Sequence, residues 1–208
     1  MIRPILRGLT ISAALLAAGC VSLLPETEPP KPRYHIVLDI NDAGSAETID
    51  WSLIIDDPQT TRVYDTSKMA VATAPGKVEY FARGEWADRA PRLFRTALLQ
   101  SFEDSNRMLS VGSRDVLPIA DRALLTNIRT MELNVHAGRP EAVVSVYARL
   151  TNGRATIFAA QSFTARAEAR SQDPDNVAAA FNAAFNEVIG KITAWTFAEG
   201  GVGAEAAS

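Results

Sequence analysis

Asp56-Asp57-Pro58 holds the densest carboxylate pair in the chain, and adjacent carboxylates can split their pKa values as an acid/base couple requires. An aspartate before a proline in a strand-to-turn setting is more often turn chemistry, and that is the reading taken here. His35 and His136 are the two histidines. They fall in separate expected strands without close ligand spacing, so a metal centre built on them and on carboxylates is not expected. The chain has no Gly-x-Ser-x-Gly elbow, no phosphate-cradling Gly-rich loop and no Rossmann fingerprint. No catalytic residue, metal ligand, cofactor or nucleotide site is therefore expected, and the chain reads as a non-enzyme. The one remaining reactive group is the thiol of Cys20, the single cysteine among 208 residues.

Cys20 stands directly behind Leu16-Ala17-Ala18-Gly19, at the end of a short hydrophobic segment. Arg3 and Arg7 make a basic n-region, and Leu9 to Ala18 supply about ten apolar residues, the length of a signal-peptide h-region. A membrane-spanning helix needs about 20 apolar residues, and the proline-rich stretch from Pro25 to Arg33 ends the run well before that. Cleavage before Cys20 is the expected processing, with residues 1–19 as signal. The pattern resembles the lipobox of bacterial lipoproteins, with Ala17 where leucine is usual. By that resemblance the Cys20 thiol carries a diacylglycerol and its new amino group is acylated. The alternative is an ordinary secretory signal with Cys20 as a passenger, but a lone thiol has no intramolecular partner in an oxidising compartment. More than one acyl chain anchors stably where one binds marginally. Val21 follows the cysteine, and the resemblance to the enterobacterial sorting code then favours the outer membrane, with the protein facing the periplasm.

Loss of residues 1–19 removes Arg3 and Arg7 and leaves 19 basic against 24 acidic side chains, so the formal charge goes from −3 to −5. No Lys/Arg block exists to neutralise phosphates, which excludes nucleic acid as an expected partner. Residues 20–33, with Pro25, Pro29, Pro30 and Pro32, read as a semi-extended tether of about 3 Å per residue. Residues 199–208 are small and polar and are expected to form a disordered tail. Between them, residues 34–198 are long enough to bury one core without disulfides.

The elements that fill this domain are legible from periodicity. Asp173-Pro174 marks a helix start, and Val177, Phe181, Ala184, Phe185, Val188, Ile192 and Trp195 recur at spacings of three and four. This predicts an amphipathic helix of about 24 residues. A second helix is predicted from about Asp88, with Pro91 in its first turn, carrying Phe94, Ala97, Leu98, Ser101 and Phe102 on one face up to Asp104-Ser105-Asn106. Either stripe could instead meet lipid or a partner helix, although core packing is the favoured reading. Glu141 to Leu150 and Ala155 to Glu168 alternate as strands across Asn152-Gly153, which signals a type I′ turn with positive φ at both central residues. A strand from Leu125 to His136 precedes them. Earlier candidates are Tyr34 to Ile40, Trp51 to Ile55, Lys68 to Thr73 and Val78 to Phe81, with a short one at Met108 to Gly112. The order reads β-β-β-β-α-β-β-β-β-α, and the expected fold is a layered α/β sandwich of a largely antiparallel sheet covered by two helices. Gly84-Glu85-Trp86, ahead of the first helix, is a candidate partner contact because tryptophan anchors interfaces; packing beneath the helix is its favoured rival.

Tyr34-His35-Ile36-Val37-Leu38 after the tether, Asp65 to Val71, and Val78-Glu79-Tyr80-Phe81 through Glu85-Trp86-Ala87-Asp88-Arg89-Ala90-Pro91 resemble the ABC-type transport auxiliary lipoprotein component family. The similarity runs from about Tyr34 to Phe197 and is most specific in the tyrosine-containing strand, the Trp86-Ala87-Asp88 step and the helix from Arg92 to Phe102. The segment between Val71 and Val78 is shorter than in many members. The resemblance implies a non-enzymatic lipoprotein that works with an ABC transporter whose substrate-binding subunit carries an MCE (mammalian cell entry) domain. Such systems move lipids or other hydrophobic molecules between inner and outer membranes. Beyond Cys20 the resemblance carries over no functional residue. The runner-up is a structural lipoprotein of another envelope or secretion assembly, since related folds serve such assemblies; an envelope hydrolase is a distant third.

Overall fold

The computed structural model describes residues 30–39, 47–108, 110–136 and 138–202. Its organising element is the 13-residue strand Arg122–Asn134, β7, whose two edges are used differently. Along one edge it pairs antiparallel over its whole length with Glu141–Asn152 (β8), which in turn pairs antiparallel with Ile157–Glu168 (β9). The other edge is shared end to end by three short parallel partners. Leu53–Ile55 (β2) takes residues 122–124, Gln59–Thr60 (β3) takes 127–128, and Lys68–Ala74 (β4) takes 132–134. Lys77–Trp86 (β5) returns antiparallel on β4, Arg33–Tyr34 (β1) adds in parallel to β5, and Val111–Gly112 (β6) adds in parallel to β2. The result is one nine-stranded, largely antiparallel sheet with two helices, Ala90–Asp104 (α1) and Pro174–Val202 (α2), as the alternation of the strands predicts.

The helices bury their apolar stripes on one face of the sheet. Phe94, Leu98 and Phe102 of α1 and Phe181, Phe185, Val188 and Ile192 of α2 are almost completely buried, against Leu124, Ile128, Val144, Val146 and Leu150 of the strands. Trp86 lies edge-on to Phe181 and Phe185, with ring centres 5.1 and 5.8 Å apart, and Phe102 meets Phe197 at 5.3 Å. Burial of each such side chain contributes about 1.5–3 kcal/mol. The helices also share one polar contact, a 2.7 Å hydroxyl bond between Ser101 and Thr193. Both stripes are core, so the lipid-facing and partner-helix alternatives do not hold.

Several local expectations are corrected. The strand expected at Tyr34 to Ile40 is only two residues long in the sheet. Beyond Tyr34 the backbone is held by α2 side chains: Val37 N–H donates to Asn182 Oδ1 and Asp39 N–H to Asn186 Oδ1, while Asn186 Nδ2 donates back to the Val37 carbonyl. β3 was not expected, so five strands precede α1. The strand expected at Val78 to Phe81 runs on to Trp86. α1 begins at Ala90, and Asp88 instead accepts the Arg89 N–H at 2.6 Å outside the helix.

The second hairpin does not use a type I′ turn. Neither Asn152 nor Gly153 has positive φ; Ala155 does, at 60°. Asn152 Oδ1 accepts the N–H groups of Arg154 and Thr156, and the Ala155 N–H donates to the Asn152 carbonyl. The asparagine side chain thus closes a longer loop that needs one left-handed residue.

α2 is 29 residues long and continues through Gly200 into the expected tail; residues 203–208 lie outside those described. A Cβ at Gly200 would stand 2.3 Å from the Trp51 ring, and Arg122 Nε donates to the Gly200 carbonyl at 3.2 Å. Glycine lets the helix reach Trp51, and a buried guanidinium holds its end.

Candidate functional site

Cys20, the expected lipidation site, lies outside the described residues, as do the expected signal and most of the expected tether. The described chain begins at Pro30, within the last residues of the expected tether. Lys31 lies 3.9 Å from Glu85, and the Pro32 carbonyl accepts the Glu85 N–H. Tyr34 donates its hydroxyl proton to Asp175 Oδ1 at 2.7 Å in the first turn of α2. Loss of hydration, followed by that carboxylate, pushes the Tyr34 phenol up to about 12. The segment then follows α2 through the Asn182 and Asn186 bonds described above. Two asparagines four residues apart on the polar side of a helix are the only sequence signal for this strap, and they point to no partner on their own.

The strap also gives the domain a direction. β1 is parallel to β5, which is antiparallel to β4, and β4 is parallel to β7. The chain therefore enters running from the Asn134 end of β7 towards the Arg122 end. α2 runs the same way, and its 29 residues cover roughly 43 Å. The loop from Ser113 to Asp121 and the hairpin around Gly153 lie at the far end, where a Cβ on Gly153 would stand 3.4 Å from the Ala120 carbonyl. That end exposes Val116, Ile119 and Ile157.

Asp56 and Asp57 are ion-pair partners. Asp56 receives both Nε (2.9 Å) and Nη2 (2.7 Å) of Arg114, and Asp57 lies 2.7 Å from Arg95 of α1. Two adjoining polar grooves, of about 660 and 570 Å³, run along this segment and share Asp57, Gln59 and Arg95. Their other arginines are also compensated, Arg89 by Asp65 and Arg92 by Asp88. The N–H groups of Ala90, Arg92 and Leu93 at the start of α1 all have backbone acceptors. The arginines of the grooves are all paired, and of these pairs Arg95–Asp57 fastens α1 to the β2–β3 connection, contributing at most about 1 kcal/mol at the surface.

His35 lies exposed on the strap and His136 exposed in the turn after β7. Among the described residues no three His, Cys, Asp or Glu side chains are placed to hold a metal ion. Trp86 is 2 % exposed beneath the helices, so it packs in the core and is not a partner anchor. Among the described residues no helix is long and apolar enough to cross a membrane.

Comparison with known proteins agrees with this architecture. The chain is 26% identical over 166 residues to an uncharacterized protein of Bradyrhizobium diazoefficiens; the match covers 80% of this chain and 45% of that protein, so the chain spans about half the length of the curated relative. A crystal structure of a protein from Xanthomonas campestris superposes with a TM-score of 0.75 at 23% identity, covering 83% of this chain and 98% of that one. A second crystal structure, of an uncharacterized protein, superposes with a TM-score of 0.63 at 12% identity over 79% and 97% of the two chains. These likenesses show a shared fold. The sequence model of one family matches residues 38–193, nearly the whole folded domain, and by that match the chain belongs to the ABC-type transport auxiliary lipoprotein components.

Proposed function

We propose that this protein is a membrane-anchored periplasmic component of an ABC transport system whose substrate-binding subunit carries an MCE domain, moving lipids or other hydrophobic molecules between the inner and outer membranes. It acts by binding protein and performs no catalysis; ATP hydrolysis belongs to another subunit. The family match over residues 38–193 is the observation that carries this reading. The Gly19-Cys20 junction supports an acyl anchor at Cys20, Val21 supports the outer membrane as its destination, and the proline-rich stretch supports a stand-off tether. The strap is consistent with this reading, because residues 34–39 are held along α2 by Asp175, Asn182 and Asn186.

Two experiments test it. Labelled palmitate should enter the wild-type protein and not Cys20→Ala, which should leave the membrane fraction; an unlabelled wild type removes the anchor. Crosslinking in cells followed by mass spectrometry should recover an MCE-domain subunit, and deletion should weaken the barrier to detergents no further when the transporter is also deleted. Recovery of secretion or cell-wall components alone, with additive deletion phenotypes, assigns the protein to another envelope assembly.

A further inference from the structure

The helices cover one face of the sheet, and the opposite face of β7–β9 carries a charge cluster with no counterion among the described residues. Across its middle, Asn127, Tyr147 and Ser162 stand in register, with Thr130, Ser145 and Thr164 in the next outward row. Arg129 is the extra residue of the bulge between Ile128 and Thr130. A bulge re-aims the side chain it carries. The Arg129 guanidinium lies 4.3 Å from the Tyr147 ring centre, with Nη1 donating to Ser162 Oγ at 3.2 Å. The Arg149 guanidinium lies 5.6 Å from the same ring centre, and its buried Nε has no acceptor.

Seven arginines among the described residues pair with carboxylates; Arg129 and Arg149 are among those that do not, and they are the two that share an aromatic ring. The outer-face carboxylates are already engaged: Glu132 by the Tyr64 hydroxyl, Glu141 by Arg166 and Glu168 by Arg139. Two like charges share one aromatic ring on an exposed face of a chain whose net charge is −3. Charge complementarity calls for an anionic occupant. The rows of Tyr147 and Ser145 are hydroxyls and amides, and the exposed large apolar side chains of the sheet lie away from them, Val78 and Tyr80 on β5 and Ile157 at the start of β9, so the cluster itself has little to insert into a bilayer.

We propose that Arg129, Tyr147 and Arg149 form a docking surface for an acidic segment of a partner protein, whose carboxylates bridge the two guanidiniums while its backbone meets the hydroxyl rows. This does not rest on the transporter reading, because it specifies the chemistry of the partner and not its identity.

Amide chemical-shift mapping of the full chain with a hexaglutamate peptide tests it, with dihexanoyl phosphatidylglycerol as a second probe. The peptide should shift amides of residues 125–130, 145–149 and 160–164, and its binding should weaken from about 50 to 200 mM salt as screening grows. Arg129→Gln with Arg149→Gln should lose about tenfold or more in affinity. Arg129→Gln alone, on an exposed bulge, should lose part of it with an unchanged melting temperature. Arg154→Gln, an unpaired arginine in the hairpin loop, should bind like wild type. The proposal is overturned if the peptide leaves these amides unmoved, if the Arg129 variant binds as wild type does, if Arg154→Gln weakens binding equally, or if only the phospholipid shifts them.

Discussion

The two faces of β7–β9 are made from alternate residues of the same three strands, yet they are different materials. On β8 the inward residues Ala142, Val144, Val146, Ala148 and Leu150 are fully buried, while Ser145, Tyr147 and Arg149 between them are only half-buried. On β9 the inward Phe163 and Ala165 are buried and the outward Ser162, Thr164 and Arg166 are exposed. The inner face derives its energy from close-packed contacts with two helices, where a lost atom leaves a void. The outer face makes isolated polar contacts over water. Stability therefore resides on one face, and the chemistry still open to a partner resides on the other.

The largest test of this contrast is Phe185→Ala. Phe185 is 1 % exposed and meets Trp86, Phe94 and Phe181, so its truncation should cost about 3–5 kcal/mol, read as a fall in the urea midpoint. An unchanged midpoint would take α2 out of the core. Next is Arg122→Met, at the far end of the inner layer. It removes a buried charged donor from the Gly200 carbonyl and a guanidinium 5.4 Å from the Phe158 ring centre, and should cost about 1.5–3 kcal/mol. Hydrogen exchange should rise first in the last turn of α2; a uniform rise would make Arg122 a general core residue and not a helix-end clasp.

A smaller effect of opposite sign belongs to the hairpin. Ala155→Gly relieves a left-handed alanine and should stabilise by about 0.5–1 kcal/mol after the added freedom of the unfolded chain is counted, raising the melting temperature. On the outer face, Thr164→Ala removes one exposed hydroxyl bond to Ser145 and should stay within about 0.5 kcal/mol of wild type in the same urea titration. A loss comparable to that of Phe185→Ala would erase the distinction between the faces. The smallest effect is a pH term at Asp121. The Ser52 hydroxyl, then the Ser52 N–H, hold the Asp121 carboxyl below the ordinary carboxylate range. Its folded pKa is depressed, so its contribution is complete above the unfolded value of about 3.9 and is lost as pH falls through the folded value. Asp121→Asn should flatten the acid limb of stability against pH, and an unaltered limb would exclude the Ser52 contact from it.

Periodicity by itself determined both helices, the long antiparallel strands and the layered class, because alternation at two and at three to four residues follows from how backbone geometry directs side chains. It also determined that Trp86 and the aromatic stripes had enough apolar surface to make a core. Tertiary structure alone decided which carboxylates find arginines, that Asn182 and Asn186 hold the strap, that Arg122 and Trp51 carry α2 through Gly200, and that a bulge turns Arg129 towards Tyr147. These contacts join residues far apart in sequence, where no local period records them. Asn152-Gly153 marks the boundary between the two kinds of knowledge. The dipeptide announced a hairpin, but the side-chain bonds of Asn152 and the left-handed Ala155 chose its loop, since local propensity supplies a turn and the register of the paired strands selects its geometry.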